Sequence, residues 1–202
     1  MHASRIIQDL LRKQCPEMHA KRRECLARLV DAAQGGGLGV VKMGKSLGTG
    51  TALKHRIKCV DRLLSNPHLC AERIAMYRAI AHQLLATLCR VGIVVDWSEL
   101  RADGSMQLLR AAVIVKGRAV TVYEEVHPQK HLGSATIHRA FMRNLKSVLP
   151  PNCQPVIITD AGFRAPWFKM LTKQGWTWIG RIRNRDMVRR AREQALSAAD
   201  VI

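Results

Sequence analysis

VGIVVDWSEL, residues 91–100, is the stretch around which the rest of the chain is organised. Its apolar, β-branched run leads into Asp96, and a run of this kind between a glycine and a polar cluster predicts a buried strand. The stretch PVIITDAGF, residues 155–163, repeats the pattern and leads into Asp160. The sequence therefore predicts two buried strands, each with a carboxylate at its end.

These two aspartates have both a structural and a functional interpretation. An aspartate after a strand often serves only as a turn residue or as the N-cap of the next helix. If the two strands are neighbours, however, the carboxylates converge, and like charges raise each other's pKa unless a cation neutralises them. A divalent metal ion is the usual cation at such a site. The pattern thus favours a paired metal site formed by Asp96 and Asp160.

Charge indicates the kind of partner. The 202-residue chain of 22.6 kDa is 48% apolar, which is typical of one or two globular domains. It has 33 Lys and Arg against 15 Asp and Glu, a net charge of +18. Solubility alone needs a net charge of only about 2 to 8, so the excess indicates a polyanion, most often nucleic acid. Residues 1–90 carry +10 and residues 91–202 carry +8, so both halves are expected to face it.

Targeting and metal-binding motifs are weak. The start, MHASRIIQDLLRK, has no apolar signal-peptide core, and no apolar run is long enough to span a bilayer. We therefore predict a cytoplasmic protein with no membrane partner. Six cysteines without a CxxC pair or zinc spacing predict reduced, mostly buried thiols. His127, His131 and His138 have the spacing HxxxHx6H, but they bracket a predicted loop, and ligand spacing without a helix to present it is weak evidence for a metal site.

The amino-terminal half reads as helical. Helical spacing spans residues 3–33 with a break near Pro16, where the residue before proline resists the helical region. The glycine-rich stretch AQGGGLG follows. A short helix at 40–47, a turn at 48–50 and a longer helix at 51–65, which Asn66-Pro67 terminates, resemble a helix-turn-helix. A further apolar helix is predicted at 71–90.

The longer helix of this pair carries cations that interleave with apolar residues. Lys54, Lys58 and Arg62 are four residues apart and share one face of the helix, and Arg56 lies among them. A charged helix face that only contacts solvent would have the same sequence pattern, but the net charge of the chain favours contact with DNA. The full set of predicted DNA-contacting residues is Lys42, Lys45, Lys54, Arg56, Lys58, Arg62, Arg164 and Lys169.

Residues 39–46, GVVKMGKS, match the phosphate-binding loop GxxxxGK[ST] of nucleotide triphosphatases. Such a loop must follow a buried strand, whereas the residues before this one read as a helix followed by three glycines. Its bulky interior also suits a phosphate-wrapping backbone poorly. A P-loop nucleotide triphosphatase is therefore a minor alternative.

After Asp96 the pattern changes to alternating strands and helices. Strands are predicted at 106–115 and 118–126, joined by the tight turn Lys116-Gly117. An amphipathic helix follows at 134–149, ended by Pro150-Pro151. After the strand that leads into Asp160, a helix is predicted at 166–174 and a strand at 176–183. The order is strand, strand, strand, helix, strand, helix, strand.

That order resembles the ribonuclease H-like fold, in which the first and fourth strands lie side by side and each presents a catalytic aspartate. The segments VVDWSEL, LLRAAVIVKGRAVTVYEEVHP, VIITDAGFRAPWF and GWTWIGRIR resemble the amino-terminal part of cut-and-paste DDE transposases of bacterial insertion sequences, in the insertion-sequence-four family. HRIKCVDRLLSN is similar to the DNA-binding domain of that family. The resemblance covers residues 5–183.

The resemblance implies that Asp96 and Asp160 are the first two members of an acidic triad that holds Mg²⁺ or Mn²⁺ and acts on the ends of a transposon. The family's third carboxylate belongs to a later helix with the signature Y-x2-R-x3-E-x6-K. After Arg185 this chain continues DMVRRAREQALSAADVI, without that signature. We therefore expect Glu193 to be a helix-surface residue and the tail to be a truncated or frameshifted end.

The predicted fold class is α+β. We expect an all-helical DNA-binding domain at 1–90, an incomplete ribonuclease H-like α/β domain with a mixed sheet at 91–185, and a divergent basic tail at 186–202. The predicted function is that of a metal-dependent DNA transposase which, as truncated, neither nicks nor joins DNA alone. The alternative is a non-catalytic protein that binds double-stranded transposon ends. In either case a second copy or a full-length transposase is the expected protein partner, in the bacterial cytoplasm.

Overall fold

The computed structural model describes residues 3–48 and 50–183, together with the backbone of two short strands beyond them. The chain forms two compact units, one up to Leu84 and one from Leu85 onward. The helices are α1 (Ala3–Gln14), α2 (Ala20–Gly36), α3 (Val40–Ser46), α4 (Leu53–Leu64), α5 (Pro67–Leu85), α6 (Ala135–Val148) and α7 (Ala165–Lys173). The strands are β1 (Arg90–Glu99), β2 (Met106–Val115), β3 (Arg118–Pro128), β4 (Gln154–Thr159), β5 (Thr177–Gly180), β6 (Met187–Val188) and β7 (Leu196–Ser197).

The first unit is built from helices α1 to α5, and their apolar faces form two clusters. Leu11, Cys15, Met18, Leu69 and Ala79 form one cluster, and Leu29, Ala32, Met43 and Val60 form the other. A half-buried ion pair also joins α2 to α5, in which Arg22 donates to both carboxylate oxygens of Glu72 at 2.8 and 2.6 Å. Among the described helices, none is both long and apolar enough to cross a membrane.

The helix boundaries differ from the sequence prediction at glycine and asparagine. Helix α2 continues through the first two glycines of the break to Gly36, and Gly37 caps it with a φ of +81° that suits glycine. Helix α5 begins at Pro67 rather than at residue 71, because the Asn66 side chain accepts the His68 and Leu69 N–H groups and caps it. It also ends at Leu85, five residues before the predicted end. Thr49, in the predicted turn, lies outside the described residues.

The second unit contains a five-stranded mixed sheet in the order β3-β2-β1-β4-β5. Strand β1 is antiparallel to β2 and parallel to β4, so the first and fourth strands are neighbours as predicted. The hairpin between β2 and β3 turns at Lys116 and Gly117, whose φ values of 46° and 76° fit a two-residue turn with both residues left-handed. The order of strands and helices predicted between Asp96 and residue 183 is confirmed.

Strand β1 does not end at Asp96, which corrects the sequence prediction. Its parallel pairing with β4 stops at Val95, but its antiparallel pairing with β2 continues through Asp96, opposite Arg110, to Glu99. The segment after Asp96 is more exposed than the segment before it, because only one neighbouring strand accompanies it. At the other edge β5 is shorter than predicted, since its pairing with β4 runs only from Thr177 to Gly180.

Alternation gives the sheet two different faces. We call the face of Ile93, Val95 and Trp97 the helix face, because α6 and α7 pack on it. His138 of α6 lies against Trp97, and Phe168 of α7 lies against the backbone of Gly180. The opposite face, formed by Gly92, Val94, Asp96, Ile158 and Asp160, is called the aspartate face.

Candidate active site

Asp96 and Asp160 lie next to each other on the aspartate face. The last residue pair between β1 and β4 is Val95 with Thr159, and each aspartate is the residue that follows. Neighbouring strands are about 4.8 Å apart, and residues in register on adjoining strands have the same facing. Both aspartates are exposed, whereas Val95 and Thr159 before them are buried on the helix face. The structure thus brings the two predicted carboxylates together.

The electrostatics of the pair follow from this proximity. Burial of part of the carboxyl group, and then the charge of Asp160, raise the pKa of Asp96 above its ordinary value. The backbone N–H of Trp97 opposes this rise by bonding the charged form. Asp160 is oriented by the Gly162 N–H, which donates to its Oδ1 at 2.9 Å. Two oriented carboxylates that repel each other are suited to sharing a cation.

A divalent metal such as Mg²⁺ or Mn²⁺ fits the chemistry of this pair, because both groups offer hard oxygen ligands. In the part of the chain that the structure describes, no group of three His, Cys, Asp or Glu side chains is close enough to form a metal site. Glu193, predicted to be a surface residue of a helix, lies outside the described residues. The described part of the site is therefore a carboxylate pair.

Two arginines beside Asp160 were missed by the sequence analysis. A pocket of about 350 Å³ is lined by Asp160, Ala161, Arg181, Ile182 and Arg183. The Arg181 N–H donates to the Thr159 carbonyl at 3.1 Å, which extends the pairing beyond β5 and brings Arg181 alongside Asp160. Parallel pairing of β4 and β5 is the signal that could have found them, because Gly180 pairs with Thr159 and the next residue on each strand is then Arg181 opposite Asp160.

An aromatic cluster on the helix face supports both aspartate-bearing segments. Trp97, which follows Asp96, donates its Nε1–H to Nε2 of the buried His138 at 3.0 Å. The other side of this imidazole stacks on Phe163, three residues after Asp160, with ring centroids 5.2 Å apart. Trp167 packs against both rings at 5.1 and 4.7 Å. His138 therefore connects the segment after Asp96 to the segment after Asp160.

The three histidines spaced HxxxHx6H do not form a metal site in the structure. His138 accepts from Trp97, and the Nε2 of His127 bonds to Glu125 at 2.8 Å. Burial alone would raise the pKa of Glu125, but hydrogen bonds from Tyr123, Asn144 and His127 outweigh it and lower that pKa. His127 and His138 belong to the packing of β3 and α6, and His131 lies in the short turn between these elements, with its ring centroid 6.2 Å from that of His127.

In the first unit, the structure brings together three of the predicted DNA-contacting cations. Lys54, Lys58 and Arg62 are exposed on α4 and line one groove of about 640 Å³. Arg56 points elsewhere, since its guanidinium donates to the carbonyl oxygens of Lys45 and Leu47 at the end of α3 at 3.3 and 2.7 Å. Arg56 therefore holds the end of α3 against α4.

The remaining predicted cations are exposed but do not join that groove. Lys42 and Lys45 are exposed on α3. Arg164 is the exposed N-cap residue of α7, and Lys169 is exposed on the same helix in the second unit.

The phosphate-loop motif lies in a different structural context from that of a nucleotide triphosphatase. Residues 40–46 form helix α3, and the element before them is helix α2 rather than a strand. Gly44 is buried against Ile57 of α4. The motif's glycine therefore serves helix packing, and the minor alternative loses its structural basis.

A mixed sheet in the order β3-β2-β1-β4-β5, with an aspartate pair on the two central parallel neighbours, has the architecture of a ribonuclease H-like transposase domain. A family model described as the transposase DDE domain matches residues 87–200, more than half of the chain. The chain belongs to this family. No curated protein and no solved structure matches it at a significant level.

Proposed function

We propose that this chain is a cut-and-paste DNA transposase in which Asp96 and Asp160 are catalytic residues that hold Mg²⁺ or Mn²⁺. The observation that carries the proposal is the position of the two carboxylates, in register on neighbouring parallel strands of a transposase-family domain. The raised pKa of Asp96 supports it, because burial and the charge of Asp160 disfavour the ionised carboxylate and a bound cation would offset that cost. Within the family, the motifs of the insertion-sequence-four group are the ones this chain resembles.

In the proposed mechanism, Asp96 and Asp160 would hold the divalent metal, which when bound would activate the attacking oxygen and stabilise the leaving oxygen of a DNA phosphodiester. The Gly162 N–H keeps the Asp160 carboxylate in one orientation. Arg181 and Arg183 are suited to contact the phosphate, because guanidinium groups bind phosphate oxygens through paired hydrogen bonds. Their pocket beside Asp160 is the support for this role.

The first unit is proposed to be the DNA-binding domain, with α3 and α4 as a helix-turn-helix. The common groove of Lys54, Lys58 and Arg62 supports contact with the DNA backbone. Lys42, Lys45, Arg164 and Lys169 are proposed as further phosphate contacts because they are exposed cations. The partner is double-stranded DNA at transposon ends, with a second copy of the chain or a full-length transposase as protein partner, in the bacterial cytoplasm.

The experiment has two readouts on the same purified chain. Calorimetric titration with Mn²⁺ measures metal binding by the wild type and by Asp96→Asn and Asp160→Asn. Incubation with Mn²⁺ and a supercoiled plasmid carrying the terminal repeats of the element measures nicking. We expect either substitution to abolish the binding heat and to lower any nicking rate by about 10² or more.

Glu99→Gln is the matched control, since Glu99 is an exposed carboxylate on the same strand and has no aspartate neighbour in register. It should bind Mn²⁺ like the wild type. Equal heats for all four proteins would contradict the metal pair. Metal-dependent heat without nicking by the wild type is the expected result if the chain, without the signature that carries the family's third carboxylate, neither nicks nor joins DNA alone. The absence of both metal-dependent heat and nicking would favour the alternative, a non-catalytic binder of transposon ends.

A further inference from the structure

Two cysteines lie side by side at the amino-terminal ends of the central strands. Cys89 comes directly before β1 and Cys153 directly before β4. The parallel pairing of these strands starts at Arg90 with Gln154, one residue later in each. The Gln154 N–H donates to the Cys89 carbonyl at 2.7 Å, so the close approach of the two chains already includes Cys89.

This register suits a disulfide. Neighbouring strands are about 4.8 Å apart, and disulfides span Cα separations of about 4.4 to 6.8 Å. Both cysteines stand two residues before a buried residue of the helix face, Val91 in β1 and Pro155 in β4, so the alternation directs both to that side. The two thiols are also close enough to interact electrostatically, because burial and then the neighbouring Cys89 raise the pKa of the Cys153 thiol.

The two thiols differ in access, which suggests an order of reaction. Cys89 is exposed, as are Cys59 and Cys70, so the prediction of mostly buried thiols is wrong. Cys153 is buried with 9% of its surface accessible. An oxidant from solution therefore reaches Cys89 first, and Cys153 is positioned to resolve the product.

We propose that Cys89 and Cys153 form an intramolecular disulfide when the protein meets a peroxide. The Cys89 sulfur attacks one peroxide oxygen, the O–O bond breaks, and a sulfenic acid and one water form. The Cys153 sulfur then attacks the Cys89 sulfur, the S–O bond breaks, and the hydroxyl leaves with the Cys153 proton as a second water. Two thiols lose two electrons in total, and hydrogen peroxide is reduced to two waters.

This disulfide would stabilise the fold rather than regulate the aspartate pair. Cys89 is seven residues before Asp96, and Cys153 is seven residues before Asp160. At about 3.3 Å per strand residue, the bond lies roughly 23 Å from the carboxylates. It closes a loop that contains β1, β2, β3 and α6, and a cross-link over a long loop lowers the entropy of the unfolded chain.

The test uses the full chain, first reduced, then treated with hydrogen peroxide, alkylated and digested with trypsin. Residues 79–90 and 147–164 form tryptic peptides with one cysteine each. We expect a species that joins these two peptides, with a mass two hydrogens below their sum. The oxidised protein should also unfold at a temperature about 5 °C or more above that of the reduced protein.

Cys89→Ser and Cys153→Ser should each abolish the linked species and the rise in unfolding temperature. Cys70→Ser, which removes an exposed thiol on α5, should retain both. Recovery of Cys89 joined to another cysteine, or of Cys153 still alkylated after Cys89 has been oxidised, would overturn the proposal. Linkage without a higher unfolding temperature would overturn the stabilising role.

Discussion

Gly162 orients the Asp160 carboxylate through its backbone N–H, and its lack of a side chain leaves room for that carboxylate. Its N–H donates to Asp160 Oδ1, and a Cβ added to this glycine would lie 3.0 Å from the same oxygen. Gly162→Ala should therefore keep the fold but displace the carboxylate, and we expect Mn²⁺ affinity to fall by about 10-fold, as for other groups that orient a metal ligand. Calorimetric titration with Mn²⁺ measures the change.

Gly48→Ala is the control for this substitution, because an added Cβ there would meet nothing within 4 Å. It should leave the Mn²⁺ affinity unchanged. An unaltered affinity in Gly162→Ala, with the circular dichroism spectrum of the wild type, would show that the orientation of Asp160 does not depend on this glycine.

His138 gives a prediction about pH. Burial lowers the pKa of His138 to about 4, whereas the pKa of a histidine in an unfolded chain is about 6.5. Between these values the unfolded chain binds a proton that the folded chain does not, so stability is full above the unfolded pKa and is lost as the pH falls toward the folded one. The loss from this residue should be about 2 kcal/mol between about pH 7 and pH 5.

The measurement is urea unfolding at both pH values for the wild type and His138→Gln. Glutamine does not titrate, and its carbonyl can still accept the Trp97 N–H, so the variant should lose about 2 kcal/mol less than the wild type between the two pH values. His68→Gln, an exposed histidine on α5, is the matched control for replacing any histidine. The same pH dependence in wild type and His138→Gln would refute the role of this imidazole.

At this scale the sequence predicted the pair but not its surroundings. Asp96 and Asp160 stand out because each follows a β-branched run, which is a local pattern. His138 is 42 residues from Asp96, and its contacts with Trp97 and Phe163 arise only when α6 packs on the sheet. The position of Arg181 beside Asp160 likewise arises only from the register between β5 and β4. Contacts made through tertiary packing leave no periodic signal in the sequence.

Among the elements, the packing of α3 on α4 depends on one glycine. A Cβ at Gly44 would lie 2.7 Å from Ile57 Cγ1 and 2.9 Å from Ile57 Cα, and the second atom is backbone that cannot rotate away. In an ordinary helix, replacing glycine by alanine stabilises by about 1 kcal/mol. Here we expect Gly44→Ala to destabilise the protein by about 1 to 3 kcal/mol through overpacking.

Gly35→Ala in α2 is the matched control, since it is also a helical glycine but an added Cβ would meet nothing within 4 Å. It should stabilise by about 0.5 to 1 kcal/mol. Urea unfolding of both variants compares the signs directly. Stabilisation by both would mean that the two helices do not approach as closely as the structure has them.

The order of elements was predictable from the sequence, but their ends were not. Periodicity is a property of many residues, so α6 and the β2–β3 hairpin were found within a few positions. The ends depend on partners: β1 extends past Asp96 because β2 continues beside it, and α5 starts early because Asn66 caps it. The sequence around each end is compatible with more than one boundary, and pairing or capping decides between them.

For the whole molecule, the net charge of +18 is distributed over both units. A sum of this size predicts salt-sensitive attraction to any polyanion, but it does not identify the residues that contact DNA. The structure narrows the set of candidate DNA-contacting residues, because Lys54, Lys58 and Arg62 line one groove whereas the Arg56 guanidinium bonds to the end of α3. DNA affinity should therefore depend on the position of the charges as well as on their number.

Two triple variants with the same net charge separate these contributions. Replacing Lys54, Lys58 and Arg62 by Ala, or replacing the exposed Lys13, Lys21 and Arg73 by Ala, lowers the net charge from +18 to +15 in each case. Each phosphate contact contributes about −0.9 to the slope of log affinity against log salt concentration. We expect the groove variant to flatten that slope by about 2 to 3 units and the matched variant to change it by less than about 1 unit.

The slope is measured from fluorescence anisotropy titrations of a labelled duplex at several salt concentrations. It discriminates because release of counterions reports contacts with phosphate, whereas a lower overall charge weakens long-range attraction for both variants alike. Equal flattening in the two variants would mean that α4 binds DNA only as part of a uniformly basic surface. An unchanged slope in the groove variant would remove α4 from the DNA interface and leave the other proposed cations, from Lys42 and Lys45 on α3 to Arg181 and Arg183 in the second unit, as the remaining candidate contacts.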